Sequence, residues 1–223
     1  MDVLGSSQQS AVSPPLTDPT VRSARPALGR SRRHLLVLGL VAVLGLAASG
    51  CSTGTSYGGS FTFVSPGGKT ELSYTGADRQ PINNLSGPDL LNANATLALS
   101  DFPGKAMVIN FWGSWCAPCR AEAAGLNTAA KTLAPLGVQF VGVDVKDTRE
   151  GGADFHAAYK VLYPSIFDPS MRTLLSLRGY PASSIPSTIV LDRAHRVAHI
   201  WLLPVTAKQV IAVVSAVAGE SRS

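Results

Sequence analysis

FWGSWCAPCR, residues 111–120, holds two cysteines, Cys116 and Cys119, with two residues between them. It completes AMVINFW (106–112), a short apolar run of the kind that forms a strand covered on both faces. From Ala117 to Ala134 the chain is rich in Ala and Leu and reads as a helix. Pro118 fits its first turn, where a missing N–H is no loss. The pair therefore stands where a buried strand gives way to a helix. Cys116 lies at the helix N-terminus, beside unpaired backbone N–H groups and the positive end of the helix dipole. That placement lowers a thiol pKa from about 8.5 toward 7 or below, and the thiolate is the attacking species. Cys119 sits inside the first turn, where sulfur reaches sulfur with little backbone movement. The outer thiol attacks and the inner one resolves the mixed disulfide.

Other uses of a cysteine pair fit less well. The chain has only three cysteines, and the third is Cys51. A structural zinc site needs four ligands, and His156, His195 and His199 have no finger-like spacing to the pair. No metal or other cofactor is expected. A structural disulfide suits an oxidising compartment, but closing so small a loop constrains the unfolded chain little. The redox reading leads.

The chain has 223 residues, 45% hydrophobic and 15% charged, an ordinary globular composition with room for one core. Its net charge of +5 is concentrated at the start: residues 1–50 carry five arginines and two acids. The remainder has fourteen basic against twelve acidic residues and no basic cluster, so a nucleic-acid partner is not expected. Residues 6–29, rich in Ser, Pro, Ala and Arg, read as disordered. SRRH (31–34) precedes LLVLGLVAVLGLAA (35–48), an apolar run too short for a comfortable membrane span of roughly 20 residues. A basic flank, a short apolar core and small residues after it are the parts of a secretory signal. Residues 1–50 are therefore assigned as leader.

ASGC (48–51) resembles a bacterial lipobox, although Ala48 stands where that pattern more often has Leu. The resemblance implies that Cys51 is lipidated as the first mature residue, with residues 51–60 as lipidated Cys and flexible tether. The alternatives are an uncleaved signal anchor or a buried helix, with Cys51 an ordinary thiol. Ser31-Arg32-Arg33 followed by His34, Leu35 and Leu36 also resembles a twin-arginine export signal. The expected location is the outer face of the cytoplasmic membrane.

Residues 61–219 read as one α/β domain. FTFV (61–64) and ELSY (71–74), joined through Pro66-Gly67-Gly68, suggest an N-terminal β-hairpin. Residues 75–96 read mostly as loop and 96–105 as a short strand and turn. VQFVGVDV (138–145) is a second buried strand, 152–160 a short helix, SIFD (165–168) a short strand and MRTLLSL (171–177) a helix. STIVLD (187–192) and VAHIWLL (197–203) form an antiparallel pair, and Thr206 caps a last helix over 206–219. The order predicts a mixed central sheet with helices on both faces.

Residues 97–203 resemble the thioredoxin superfamily. SDFPGK, INFWGSWCAPCRAE and SIPSTIVLD narrow the resemblance to the membrane-tethered TlpA/ResA-like thiol-disulfide oxidoreductases. It covers about half of the chain. It implies a thioredoxin-like fold in which residues 149–168 form an αβ insertion beside the partner surface. Cys116 becomes the nucleophile and Cys119 the resolving thiol, with Trp115, Ala117 and Pro118 flanking the site. Pro186 matches the family's cis-proline, and Ile185 before it should touch substrate. Glu122 matches a glutamate that can carry the proton of Cys119; the alternatives are a solvated helix residue or compensation of the helix dipole. Cytoplasmic thioredoxins place a buried aspartate where this chain has Asn110. His156 is expected at the surface, His195 and His199 as structural or solvent-facing, and Trp112 in the core.

The expected function is reduction of protein disulfides outside the cytoplasm. On the resemblance, the substrate is the CxxCH of apocytochrome c and the electron donor a membrane thiol carrier of the CcdA or DsbD type. A disulfide-forming oxidase and a non-enzymatic lipoprotein binding module are the alternatives. A peroxidase fits poorly, because Trp-Cys-Ala-Pro-Cys is not the Thr-containing loop of a peroxidatic cysteine.

Overall fold

A computed structural model describes residues 59–220. The assigned leader, the Cys51 lipid site and most of the tether lie outside the described residues. The elements are β1 (Glu71–Ser73), β2 (Ser86–Pro88), β3 (Thr96–Ala98), β4 (Ala106–Trp112), α1 (Ala117–Leu133), β5 (Val138–Val145), α2 (Arg149–Tyr159), β6 (Ser165–Asp168), β7 (Ser187–Leu191), β8 (Val197–Trp201) and α3 (Ala207–Gly219). The six-stranded sheet runs β1-β8-β7-β4-β5-β6, and β2 pairs only with β3. Strands β4, β5 and β6 are parallel; β7, β8 and β1 join by antiparallel pairing. This is a thioredoxin-like fold.

β4 lies in the middle, and all seven of its residues are buried. Its odd positions Met107, Ile109 and Phe111 enter one core with Val141, Val143 and Ile189. Ala106 and Val108 enter the other, against Leu126, Ala129 and Leu133 of α1 and Val210 and Val214 of α3. A period of two on the strand meets a period of three to four on the helices. Asn110 and Trp112 continue the second face towards the end of β4, where Trp112 stacks on Phe155 of α2 at 4.3 Å between ring centroids. All three α-helices thus cover one face of the sheet rather than both as expected, since β4–α1–β5 and β5–α2–β6 step the same way along the sheet and like-handed crossovers then lie on one side.

The other face is covered by Phe61 before β1, by Ile82, Leu85, Leu97 and Leu99 around β2 and β3, and by Leu177 and Tyr180. The helix expected over 171–177 is a 3-10 turn, Arg172–Ser176. The carboxylate of Asp168 holds its start, accepting the backbone N–H groups of Arg172 and Thr173, each at 2.8 Å. The expected N-terminal hairpin is not formed. Residues 61–64 and 71–74 do not pair with each other; Thr62 bridges Arg178, and Glu71 faces Trp201 on β8. A two-stranded ribbon alone is marginal in water, whereas pairing at the sheet edge buries both Phe61 and Leu72 in the core. The loop expected over 75–96 contains β2.

The insertion is present as α2 and β6. Helix α2 begins at Arg149 rather than 152, because the Thr148 side chain accepts the Gly151 N–H at 3.1 Å and caps it. Gly152 inside the helix is a close approach: a Cβ there would fall 2.2 Å from Oδ2 of Asp144 on β5. The Thr206 cap of α3 is a full capping box with Gln209.

Candidate active site

Cys116 and Cys119 are joined by a disulfide. Cys116 is the N-cap of α1, and its sulfur accepts the Cys119 N–H at 3.2 Å. The strand-to-helix junction thus puts one backbone donor directly on the sulfur that would carry thiolate charge. Ala117 and Pro118 form the exposed first turn, while both cysteines are buried in the oxidised state. The segment before them is tied on both sides. Asp147 accepts the Ser114 N–H at 2.5 Å and the Ser114 hydroxyl at 2.9 Å. Arg120 donates to the Ser114 carbonyl at 2.6 Å. Trp115 is 49% exposed, and its Nε1 donates to the Val145 carbonyl at 3.1 Å. An apolar ring therefore lies at the surface beside the disulfide, held by its polar end. The Ile185–Pro186 bond is cis. Ile185, partly buried, packs against the cluster that contains both cysteines, Trp112 and Phe155.

Glu122 is 5% exposed and is not a solvated helix residue. Its carboxylate accepts Nδ2 of Asn110 at 3.0 Å and the Val205 N–H at 3.0 Å. Burial raises its pKa to about 7, against the pull of those two bonds. Asn110 also donates to the Thr188 hydroxyl at 3.2 Å, so β4, β7 and the loop before α3 all fix this carboxyl. A group that exchanges a proton near neutral pH, one helical turn beyond Cys119, has the property a proton carrier needs.

His156 is buried rather than at the surface. Its Nε2 lies 2.8 Å from the Ser165 hydroxyl, and burial lowers its pKa to about 4, with Asp89 opposing. Its ring packs beside Trp112, 5.5 Å between centroids. His195 and His199 are buried, and Trp112 is in the core as expected. Sequence reasoning passed over Asp144 and Asp147. The signal was a lone acid inside the apolar run VQFVGVDV: a strand buried on both faces must bury that carboxyl too. Among the described residues no group of three or more His, Cys, Asp or Glu is placed to hold a metal ion.

The fold and a cysteine pair on the first turn of α1 define a thioredoxin-like redox domain. Residues 79–200 match the AhpC/TSA family, and the chain belongs to it. It is similar to the thiol-disulfide oxidoreductase ResA of Bacillus subtilis, 31% identical over 96 residues, 43% of this chain and 52% of that protein. The chain thus spans about half the length of the ResA proteins it matches. It is 31% identical over 130 residues to the thiol:disulfide interchange protein DsbE of Allochromatium vinosum, covering 58% of this chain and 68% of the relative. A secreted thiol-disulfide isomerase from Corynebacterium glutamicum superposes with a TM-score of 0.71 at 42% identity, over 73% of this chain and all of the other.

Proposed function

We propose that the protein is an extracytoplasmic thiol-disulfide oxidoreductase that cycles Cys116 and Cys119 between dithiol and disulfide. The observation that carries this is the Cys116–Cys119 bridge at the α1 N-cap, with the Cys119 N–H on the Cys116 sulfur. In the reducing direction the Cys116 thiolate attacks a substrate disulfide, forming a mixed disulfide and expelling one substrate thiolate. Cys119 then loses its proton to Glu122 and attacks the Cys116 sulfur. The enzyme disulfide forms and the second substrate thiolate leaves. Trp115, Ala117, Pro118, Ile185 and Pro186 form the surface that a substrate chain meets.

The net direction we propose is reductive, with the CxxCH thiols of apocytochrome c as substrate. The electron donor would be a membrane thiol carrier of the CcdA or DsbD type, and lipidated Cys51 would hold the domain beside it. The similarity to ResA and DsbE supports this reading. A second reading, disulfide formation or isomerisation in secreted proteins, is favoured by the 42% identity to the Corynebacterium glutamicum isomerase. The reduction potential of the pair separates the two. A value near that of thioredoxin, about −270 mV, supports the reductase; one near that of DsbA, about −120 mV, supports the oxidant. The gap is about 7 kcal/mol, too large to blur. A pair that neither exchanges with glutathione nor reduces a protein disulfide would refute both. Mass spectrometry of the mature N-terminus tests the lipid: an unmodified Cys51 thiol would refute it.

A further inference from the structure

The buried carboxylates of the described residues differ sharply in how many donors they receive. Asp192 accepts from the Ala194 and Arg196 N–H groups and pairs with the Arg196 and Arg79 guanidiniums. Asp168 accepts two backbone N–H groups and the Thr173 hydroxyl. Glu122 accepts two. Asp144 is fully buried and no N–H group or hydroxyl donates to its oxygens; its one hydrogen-bonding neighbour is the side chain of another acid, Asp147. An ionised carboxylate in that position has lost its water with nothing in return. Below about pH 8 the group is therefore a neutral acid; burial is the main cause, the nearby Asp147 adds to it and Arg149 opposes.

Its place in the fold bears on the cysteines. Asp144 is the register partner of Trp112, the last residue of β4 before the site segment. Val145, next to it, accepts Nε1 of Trp115. Asp147, three residues on, accepts Ser114 twice. From α2 it faces Gly152, where no side chain bars a close approach. The other charged or titratable groups around it are committed elsewhere. Arg149 donates Nη1 to the carbonyls of Asp89 and Leu90, and Lys146 reaches the Ala182 carbonyl. His156 of α2 is bonded to Ser165, and Glu122 of α1 to Asn110.

We propose that Asp144 is a positioning residue for Cys116: as a neutral acid it lets the β5–α2 turn hold the Ser114–Trp115 segment in place, and its ionisation loosens that hold. This rests on Cys116 being the attacking thiol. When Asp144 gives its proton to water, two like charges face each other across the turn. The new carboxylate also needs donors, and the residues around it supply none. Both effects work against the Asp147–Ser114 bonds and the Trp115–Val145 bond, which aim Cys116 at the N-terminus of α1.

The test follows the Trp115 indole N–H by NMR across pH in the oxidised protein, where no thiol of the pair titrates. It also follows the alkylation rate of Cys116 against pH in a Cys119→Ser background. The expected result is a transition with its midpoint near pH 8 in both. Asp144→Asn, a neutral near-isostere, removes it. Asp147→Asn moves it to lower pH by removing the neighbouring charge. A transition near pH 8 that survives Asp144→Asn, or one whose midpoint ignores Asp147→Asn, overturns the proposal. Should Asp144→Asn fail to fold, the Asp147→Asn shift decides alone. Disulfide-reductase turnover of the unaltered protein at neutral pH is measured in parallel. Its absence would sink the functional reading and leave the indole titration standing.

Discussion

Replacing Glu122 by Gln tests the proton-carrying role at its physical source. Burial raises the carboxyl from 4.5 to about 7. The unfolded chain leaves it near its ordinary value. Between those two values the folded protein holds a proton that the unfolded chain has released. The stability this contributes is complete below about pH 4.5 and is lost as pH rises through about 7. Each pH unit in that window removes about 1.4 kcal/mol, so the whole window removes about 3 kcal/mol. The amide cannot titrate, and the Glu122→Gln protein lacks this slope. It also turns an amide NH2 towards one of the two donors, Asn110 or the Val205 N–H, a cost of about 1–3 kcal/mol that does not vary with pH. The slope of the difference therefore isolates the proton. Urea unfolding of the oxidised protein and its variant, from about pH 4.5 to about pH 8, measures it with the disulfide intact. The advantage of the unaltered protein over the variant should shrink by about 3 kcal/mol across the window. A difference that stays flat would mean that Glu122 ionises at its ordinary value. A carboxylate ionised that far below neutral pH does not take and return the proton of Cys119, and the role assigned to it would fall.

The remaining predictions concern the cysteines, the packing under the indole and the buried imidazole. Cys119→Ser should accumulate a mixed disulfide between Cys116 and a substrate peptide, seen by mass spectrometry, while Cys116→Ser should form none; equal trapping by both would contradict the assigned order of attack. Gly142→Ala should cost about 1–3 kcal/mol by overpacking, because a Cβ there would fall 2.6 Å from Nε1 of Trp112 and 2.2 Å from the Ser165 hydroxyl; an unchanged urea midpoint would refute this. The His156 imidazole should stay neutral in an NMR titration until about pH 4. Its depressed value makes the associated stability present above about pH 6.5 and lost as pH falls towards about 4.

Where a segment carried its own structural reason, the sequence was enough. AMVINFW and VQFVGVDV are apolar throughout, and they are β4 and β5 with the bounds expected of them. Thr206 announced α3, and the structure adds Gln209 to its cap. The failures came where residues outside the segment decide. MRTLLSL has the apolar content of a helix, but it makes only a 3-10 turn, with its first N–H groups held by Asp168 just before it. FTFV and ELSY look like two arms of a hairpin, yet the free edge of β8 offers Leu72 a deeper place than Phe61 and its neighbours can. The same limit applies at the site. The cysteines, their place on α1 and the acid one turn later follow from local pattern. That Asn110, Thr188 and Val205 meet Glu122 depends on three separate elements converging.

Donor supply sorts the buried acids by what they do. Asp192 and Asp168 receive several donors each and fasten the turn beside them. Glu122 receives two and is poised near neutral pH; Asp144 receives none and stays an acid until about pH 8. These two poorly supplied carboxyls lie on the same face of the sheet, near the ends of β4 and β5 that lead into and flank the cysteine segment. A scaffold gains nothing from burying two poorly supplied acids there, since Asn or an apolar residue would cost less. Two acids whose proton affinities differ by their surroundings offer a redox site a separate benefit. One is available to exchange the thiol proton near neutral pH, while the other remains neutral and holds the segment that presents the sulfur. Removing the charge of Asp147 should therefore shift the transition tied to Asp144 and leave the proton exchange of Glu122 where it is. If both moved together, the two carboxyls would be one coupled system and the division of labour argued for them would be wrong.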